Sequence, residues 1–353
     1  MNVPSAGIDI GEAKSVVTSI SSEGDVIEHF SYDMNDSGWK EFTARIPDSM
    51  RIVFEASGSA YPVMHKLRSL GYRDITVAHP KELSWIVKSK HKNDHVDSVK
   101  LAKLHLVGMI PESHLLDDDE RIFRDLLIQR LKTGKQIGNL KSSIIGYLKR
   151  EDLFSRLPES VDNFSIKRRE VIRAIRFDNP KDLVLGTMMD RLEFLEKQQT
   201  TLEKSIKGLS RVNDDVRLLM TIPGINYYLA ALLSSYIGDI HRFENDGKLA
   251  SFFGVVPSNR DSSSMVRRGR MSKEGPSAAR WALSIAVDTI ALYNGKMKEY
   301  YDRKKKQSGS GKLAHVYTMR KLVSMIHYML STRNAWKYEN EHLTKSKLRD
   351  LDE

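Results

Sequence analysis

The stretch "AGIDIGEAKSVVTSISSEGDVIEHFSY", residues 6–32, decides the fold of the first third of the chain. It holds three runs rich in β-branched and apolar residues, "AGIDI", "SVVTSIS" and "VIEHFSY", separated by Gly11 and by the turn "SEGD". Runs of this length between turn residues predict three strands of an antiparallel meander. Downstream, a helical stretch through Trp39 and Phe42 leads to a fourth strand, "RIVFEA", and a helix over 61–70. A fifth strand, "DITVAHP", and a helix over "KNDHVDSVKLAKLH" (92–105) follow, with Gly71 and Pro80 as breaks.

Three antiparallel strands followed by alternating helices and strands predict an α/β domain of RNase H-like (RuvC-like) order over 1–114. Within it, Asp9 lies between Ile8 and Ile10 on the first strand. If the isoleucines face the core, alternation turns Asp9 to the other side of the sheet. Glu55 ends the neighbouring strand. Asp94 and Asp97 share a helical stripe with Leu101 and Leu104, with Lys100 and Lys103 on the far side, so both carboxylates are expected to look inward. Buried carboxylates need a partner. Four converging on one place fit hard cations, Mg²⁺ or Mn²⁺, and two such ions can clamp both oxygens of a phosphoryl displacement. Asp94 taken alone reads equally as a helix N-cap.

Composition narrows the partners. The 353 residues, 40% hydrophobic and 29% charged, describe a globular protein with room for two or three domains. No apolar run approaches the ~20 residues of a membrane span, and no basic-then-apolar leader opens the chain. Cysteine is absent, which excludes disulfides, thiolate nucleophiles and sulfur-ligated zinc. These features predict a cytoplasmic protein. The net charge of +10 is concentrated: Arg260 to Lys321 holds 15 Lys/Arg against 5 Asp/Glu, including "RRGR" (267–270) and "RKKK" (303–306). Such a segment is the electrostatic footprint of polyanion binding.

From 115 to 212 the strand signals stop. Leu185, Met188, Leu192, Leu195, Leu202, Ile206 and Leu209 keep spacings of three and four, with Gln199 at the polar seam position. That heptad predicts a coiled-coil helical hairpin with a helix over about 120–150, or pairing between chains through the same seam. Residues 213–335 read as a mainly α domain around one long loop, "GVVPSNRDSSSMVRRGRMSKEG" (254–275), and 336–353 as a polar tail. "IPGIN" (222–226) before an apolar helix reads either as a helix-hairpin-helix turn, with Gly224 close to a phosphate, or as an ordinary Pro-Gly turn.

"GIDIG", Glu55 and "NDHVDSVKLA" together resemble the DEDD domain of the insertion-sequence one-ten family of transposases and the related Piv-type DNA invertases. "TIPGI" (221–225), "GVVP" (254–257), "GRMSKEG" (269–275) and "MRKLVSMIHYML" (319–330) resemble the C-terminal domain of the same family, in the same order. The resemblance implies a RuvC-like metal site of Asp9, Glu55, Asp94 and Asp97 working with a serine nucleophile. Counting five from Pro257 and seven back from Gly269 selects Ser262; Ser263 stands where the family has a glycine, leaving Ser263 as the alternative. Arg260, Arg267, Arg268, Arg270 and Lys273 are the candidate phosphate clamps. The resemblance also implies Mg²⁺-dependent cleavage and exchange of double-stranded DNA, homo-oligomers and a structured guide RNA. The competing readings are a RuvC-like nuclease or resolvase using water, an actin-like-fold ATPase suggested by "GIDIG", and a nucleic-acid-binding protein with a dead metal site.

Overall fold

The computed structural model describes residues 4–353 except 87–93, 178–180, 260–267, 294 and 339. It divides into two compact units, Met1–Asp117 and Asp118–Glu353.

The first unit is built on a five-stranded mixed sheet. Strands β1 (Ser5–Asp9), β2 (Lys14–Ile20) and β3 (Val26–Asp33) form the expected antiparallel meander. Helix α1 (Asp36–Arg45) returns the chain so that β4 (Arg51–Glu55) pairs parallel to β1. Helix α2 (Ala60–Ser69) crosses to β5 (Ile75–Ala78), parallel to β4, for a strand order β3-β2-β1-β4-β5. Pro80 breaks the chain after β5 as expected, and it also opens a helix not foreseen, α3 (Pro80–Ile86), at a position where its missing N–H costs nothing. Helix α4 (Asp94–Leu106) completes the unit.

Alternation along the strands divides the sheet's two faces. Ala6, Ile8, Ile52 and Phe54 face the core shared with α1 and α2, where Tyr32, Trp39, Phe42 and Tyr72 pack edge to ring. Ser5, Gly7 and Val53 face α4. The helix lies so close to β1 that a Cβ on Gly7 would stand 2.3 Å from the Ser98 carbonyl oxygen and 2.6 Å from the Ala102 nitrogen. Glycine is required there by contact alone. Further along, His105 is buried against the N-terminal ends of the strands, bonded to Ser5 Oγ at 2.6 Å, Arg51 at 3.1 Å and Thr76 Oγ1 at 3.0 Å. Arginine only donates, so the His105 Nε2 lone pair accepts from it and Nδ1–H donates to Ser5.

The second unit is mostly helical. Helices α5 (Asp118–Arg150) and α7 (Lys181–Arg211), with the short α6 (Ile166–Ala174) at their tip, make an antiparallel hairpin within one chain. Its register is marked by Arg130–Glu203 at 2.6 Å, Lys141–Glu196 at 3.0 Å and Lys181–Glu151 at 2.6 Å. The predicted heptad is thus consumed inside the chain: Leu185, Leu192, Leu195 and Ile206 are buried, while Leu209, 44% exposed, falls outside the seam. The C-terminal helices are α8 (Asp214–Leu219), α9 (Tyr227–Ile237) and α10 (Asp246–Phe252). A two-stranded ribbon, β6 (Pro257–Asn259) and β7 (Arg268–Met271), follows them. Helices α11 (Ser277–Tyr293), α12 (Gly295–Ser308), α13 (Gly311–Thr332) and α14 (Glu341–Asp352) complete the chain. The polar tail expected over 336–353 is wrong. Its helix α14 folds back, burying Leu351 and pairing Asp350 with Lys207 and Asp352 with Arg217. No helix of the described residues is long and apolar enough to cross a membrane.

Burial, reinforced by the Arg51 guanidinium, holds the His105 pKa down to about 4 from an unfolded value of 6.5. The unfolded chain therefore binds a proton below pH 6.5 that the folded chain refuses until pH 4. Stability from this group is complete above pH 6.5 and is lost as pH falls toward 4, by roughly 1.4 kcal/mol per pH unit. His105→Gln should flatten that slope relative to wild type in urea titrations at pH 4.5, 5.5 and 7. Parallel slopes would show that His105 is not held neutral.

Candidate active site

The C-terminal ends of two adjacent parallel strands carry the first pair of predicted site residues. Ile8 is in register with Phe54, so Asp9 and Glu55 are the next positions on β1 and β4. Both follow the alternation of Gly7 and Val53 and share the face covered by α4. Asp9 is half-buried and Glu55 exposed. The course of α4 is fixed by two anchors, His105 on Ser5 and Ser98 with Ala102 on Gly7. It therefore runs antiparallel to β1, and its first turn, Asp94 to Asp97, is directed toward the strand end that holds Asp9.

The expectation that Asp97 looks inward, away from the lysines, needs correcting. Its side chain is 38% exposed and lies 3.5 Å from the Lys100 ammonium. The buried face of α4 is Ser98, Leu101, Ala102 and His105; Asp97 sits at its flank, where a flexible lysine three residues on can reach back. Asp94 begins the helix, but its side chain lies outside the described residues. The donor set is chemically suited to a hard divalent cation, being carboxylate oxygens at a solvent-open edge. Among the described residues no three acidic or histidine side chains stand close enough to share one ion, and the fourth carboxylate is not among those side chains.

In the second unit the predicted loop is more ordered at its base than the sequence suggested. Strands β6 and β7 pair antiparallel and bracket residues 260–267, so Arg260, Ser262, Ser263 and Arg267 lie outside the described residues. Arg268 and Arg270 lie on β7, with only their backbone described. Lys273 is exposed just beyond the ribbon at φ 54°, a left-handed conformation that is uncommon for a side chain with a Cβ. Below it the two stems are tied by Ser272 N–H to the Val256 carbonyl at 2.8 Å and Lys273 N–H to the Gly254 carbonyl at 3.2 Å.

The residue that sequence reasoning missed is Arg280. From the first turns of α11 its guanidinium donates to the carbonyls of Phe253 at 3.2 Å and Gly275 at 2.8 Å, one on each stem. Burial pulls its pKa below the usual arginine value. The available signal was a lone arginine inside the apolar run "AARWAL". Gly224, at φ 83°, lies in the turn between α8 and α9, and a Cβ there would stand 2.8 Å from Thr289 Cβ. It is required by packing on α11, whatever it does toward a phosphate. The carbonyls of Ile222 and Ile225 in this turn accept from the Lys347 ammonium at 2.9 and 3.0 Å.

Two family profiles match this chain. A transposase DEDD profile of the IS110 type covers residues 6–151, and the profile described as "Transposase IS116/IS110/IS902 family" covers 216–302. The chain carries both domains of an IS110/IS116-family transposase. A putative transposase of Sinorhizobium fredii is 22% identical over 283 residues, which span 78% of this chain and 69% of that protein. The transposase for insertion sequence element IS1111A of Coxiella burnetii is 32% identical over 73 residues, 21% of this chain and 20% of that protein. An uncharacterised 43.6 kDa protein of insertion element IS110 from Streptomyces coelicolor is 23% identical, over 45% of this chain and 39% of its own. In the transposase, the first match takes in the five-stranded sheet, α4 and all of α5. The second runs from α8 through the ribbon into α12 and stops short of "RKKK".

Arg280 is a positioning residue for the ribbon. Arg280→Ala should cost about 2 kcal/mol, the usual worth of a hydrogen bond to a charged group. It should also speed hydrogen exchange at the Ser272 and Lys273 amides before α11 itself exchanges faster, with Arg280→Lys intermediate. Unchanged protection at those two amides would show that the backbone pairs alone hold the stems.

Proposed function

We propose that this transposase cuts and rejoins double-stranded DNA at defined sites through Ser262, in a reaction assisted by Mg²⁺ or Mn²⁺ held by Asp9, Glu55, Asp94 and Asp97. The first unit is then an RNase H-like domain of the RuvC type. The observation that supports this most is the pairing of Asp9 and Glu55 on neighbouring strand ends, on the face that α4 covers. Both carboxylates end adjacent central strands of the sheet, and neither is part of the buried core.

Ser262 Oγ attacks the phosphorus of a DNA phosphodiester. A serine-phosphate bond forms, one phosphorus–oxygen bond of the strand breaks, and the leaving sugar oxygen takes a proton. Attack by a hydroxyl of a second strand on the phosphoserine reverses the step and releases the serine, so bond energy is conserved through the exchange. A bound divalent ion supplies Lewis acidity to the phosphate oxygens. Arg260, Arg267, Arg268, Arg270 and Lys273 neutralise the phosphate as negative charge builds on it. Arg280 keeps the stems of the serine loop together, so the nucleophile is delivered from a fixed base. The family resemblance adds a homo-oligomer and a structured guide RNA as partners, and the +10 charge suits both nucleic acids.

A labelled nicked DNA substrate resolved under denaturing conditions tests the nucleophile. Wild type should give a protein-linked band, Ser262→Ala should abolish it, and Ser263→Ala should only weaken it. Asp9→Ala and Asp97→Ala should each lower cleavage at least about 100-fold while leaving binding in place, as should EDTA. An adduct that survives Ser262→Ala and vanishes with Ser263→Ala moves the nucleophile by one position. Cleavage with no adduct in any serine variant would mean water attacks.

A further inference from the structure

A dense run of positive charge lies outside both family matches. From Arg303 to Lys321 the chain has seven Lys/Arg and no Asp/Glu, and the second match ends at residue 302. These residues occupy the second half of α12, a short turn and the first half of α13. The acids of α12 are already used toward its N-terminus, Glu299 by Lys296 at 3.5 Å and Asp302 by Lys298 at 3.0 Å. Lys304 is held between Tyr300 and Tyr317, at 5.8 and 5.4 Å from their ring centres, and Arg303 stacks on Tyr300 at 5.3 Å. With Arg320 paired to Asp246, that leaves Lys305, Lys306 and Lys312 at the facing helix ends and Lys321 farther along α13, all exposed, with no carboxylate within ion-pair distance among the described residues.

Helix stability accounts for only part of this. Lys305 and Lys306 sit in the last turn of α12, where a cation suits the helix dipole. Lys312 is in the first turn of α13, where the dipole opposes a cation and no acid is present to offset it. Four consecutive cations also repel one another. A polyanion bound across both helix ends would remove both costs.

The support beneath this face is firm. Tyr301 OH donates to the Gly311 carbonyl at 3.5 Å, and Arg320 pairs with Asp246 at 2.9 Å. His315 joins α13 to α11, bonded to Ser284 Oγ at 2.9 Å and lying 3.3 Å from Asp288. The cations therefore project from a fixed helical hairpin, and little ordering is needed on binding.

We infer that the α12–α13 face is a second nucleic-acid contact of the transposase, which grips the phosphate backbone of a DNA duplex through Lys305, Lys306 and Lys312, apart from the serine loop. The inference rests on the proposal that the chain acts on DNA. Backbone contacts of this kind carry no base preference and set register and affinity.

The test is a fluorescence titration of full-length protein with a labelled DNA duplex and with an RNA duplex of the same sequence, from 50 to 300 mM salt. The Lys305→Ala/Lys306→Ala/Lys312→Ala variant is compared with wild type and with a control of equal charge, Lys132→Ala/Lys197→Ala/Lys204→Ala. Each phosphate contact contributes about 0.9 to the slope of log affinity against log salt, so three should reduce it by between about 2 and 3 for DNA. The control should retain the wild-type slope. All six lysines are exposed, and circular dichroism checks that the folds match. If the wild type binds no duplex, the DNA-acting reading fails and this face with it. If it binds DNA but the face variant keeps its slope, or the control loses as much, this contact alone is wrong. Loss confined to the RNA duplex would overturn the assignment to DNA.

Discussion

The contact of α4 with β1 at Gly7 is the constraint on which the first unit depends. A helix normally rides above a sheet on its side chains, but here its backbone comes down onto the strand, because residue 7 offers nothing but a hydrogen. The close approach allows Ser98 to bond Thr18 at 2.8 Å and His105 to reach Ser5, Arg51 and Thr76. These buried polar partners pin the helix in translation as well as in direction. A helix free to slide by one turn would move Asp97 about 5 Å along the strand. The apolar packing of Leu101 on Val53 and Leu83 could accept such a slip more readily than the hydrogen bonds can.

The second unit relies on a different device. Its hairpin and its C-terminal helices are joined by ion pairs and by side chains that bind backbone carbonyls. Arg280 links the stems of the ribbon, Lys347 closes the turn at Gly224, and Arg211 donates to the Leu351 carbonyl at 2.7 Å. Each is a long cationic side chain meeting carbonyl groups at the end of an element, where helices leave their last carbonyls without partners. Much of the positive charge in this unit is therefore structural. Lys305, Lys306 and Lys312 of the α12–α13 face have no such carbonyl or carboxylate partner among the described residues, and they cluster at two facing helix ends.

The strands, the order of elements in the first unit and the antiparallel character of the 6–32 meander were legible because alternation and turn residues are local signals. The 185–206 stripe was legible for the same reason, since a period of three and four marks a helix face wherever its partner lies. Local signals could not say that this partner is α5 of the same chain. Nor could they show that Leu209 leaves the seam, that Pro80 starts a helix, or that the last 18 residues hold a docked helix. A polar segment such as "HLTKSKLRDLDE" reads as a tail until basic partners more than a hundred residues away are brought beside it.

The sequence by itself determined which residues could take part: Asp9 by alternation, Glu55 by its place at a strand end, and a basic, serine-bearing loop by composition. Only tertiary structure decided which of them meet. The register of β1 against β4 sets Asp9 beside Glu55, because parallel pairing joins strands separated by some forty residues of chain. Only the folded chain turned Asp97 partly to solvent beside Lys100, since a helix's buried face is chosen by what it packs on and not by its own hydrophobic stripe. Arg280 gained its role in the same way. An arginine in an apolar run becomes a clamp only when two carbonyl-bearing stems are folded around it.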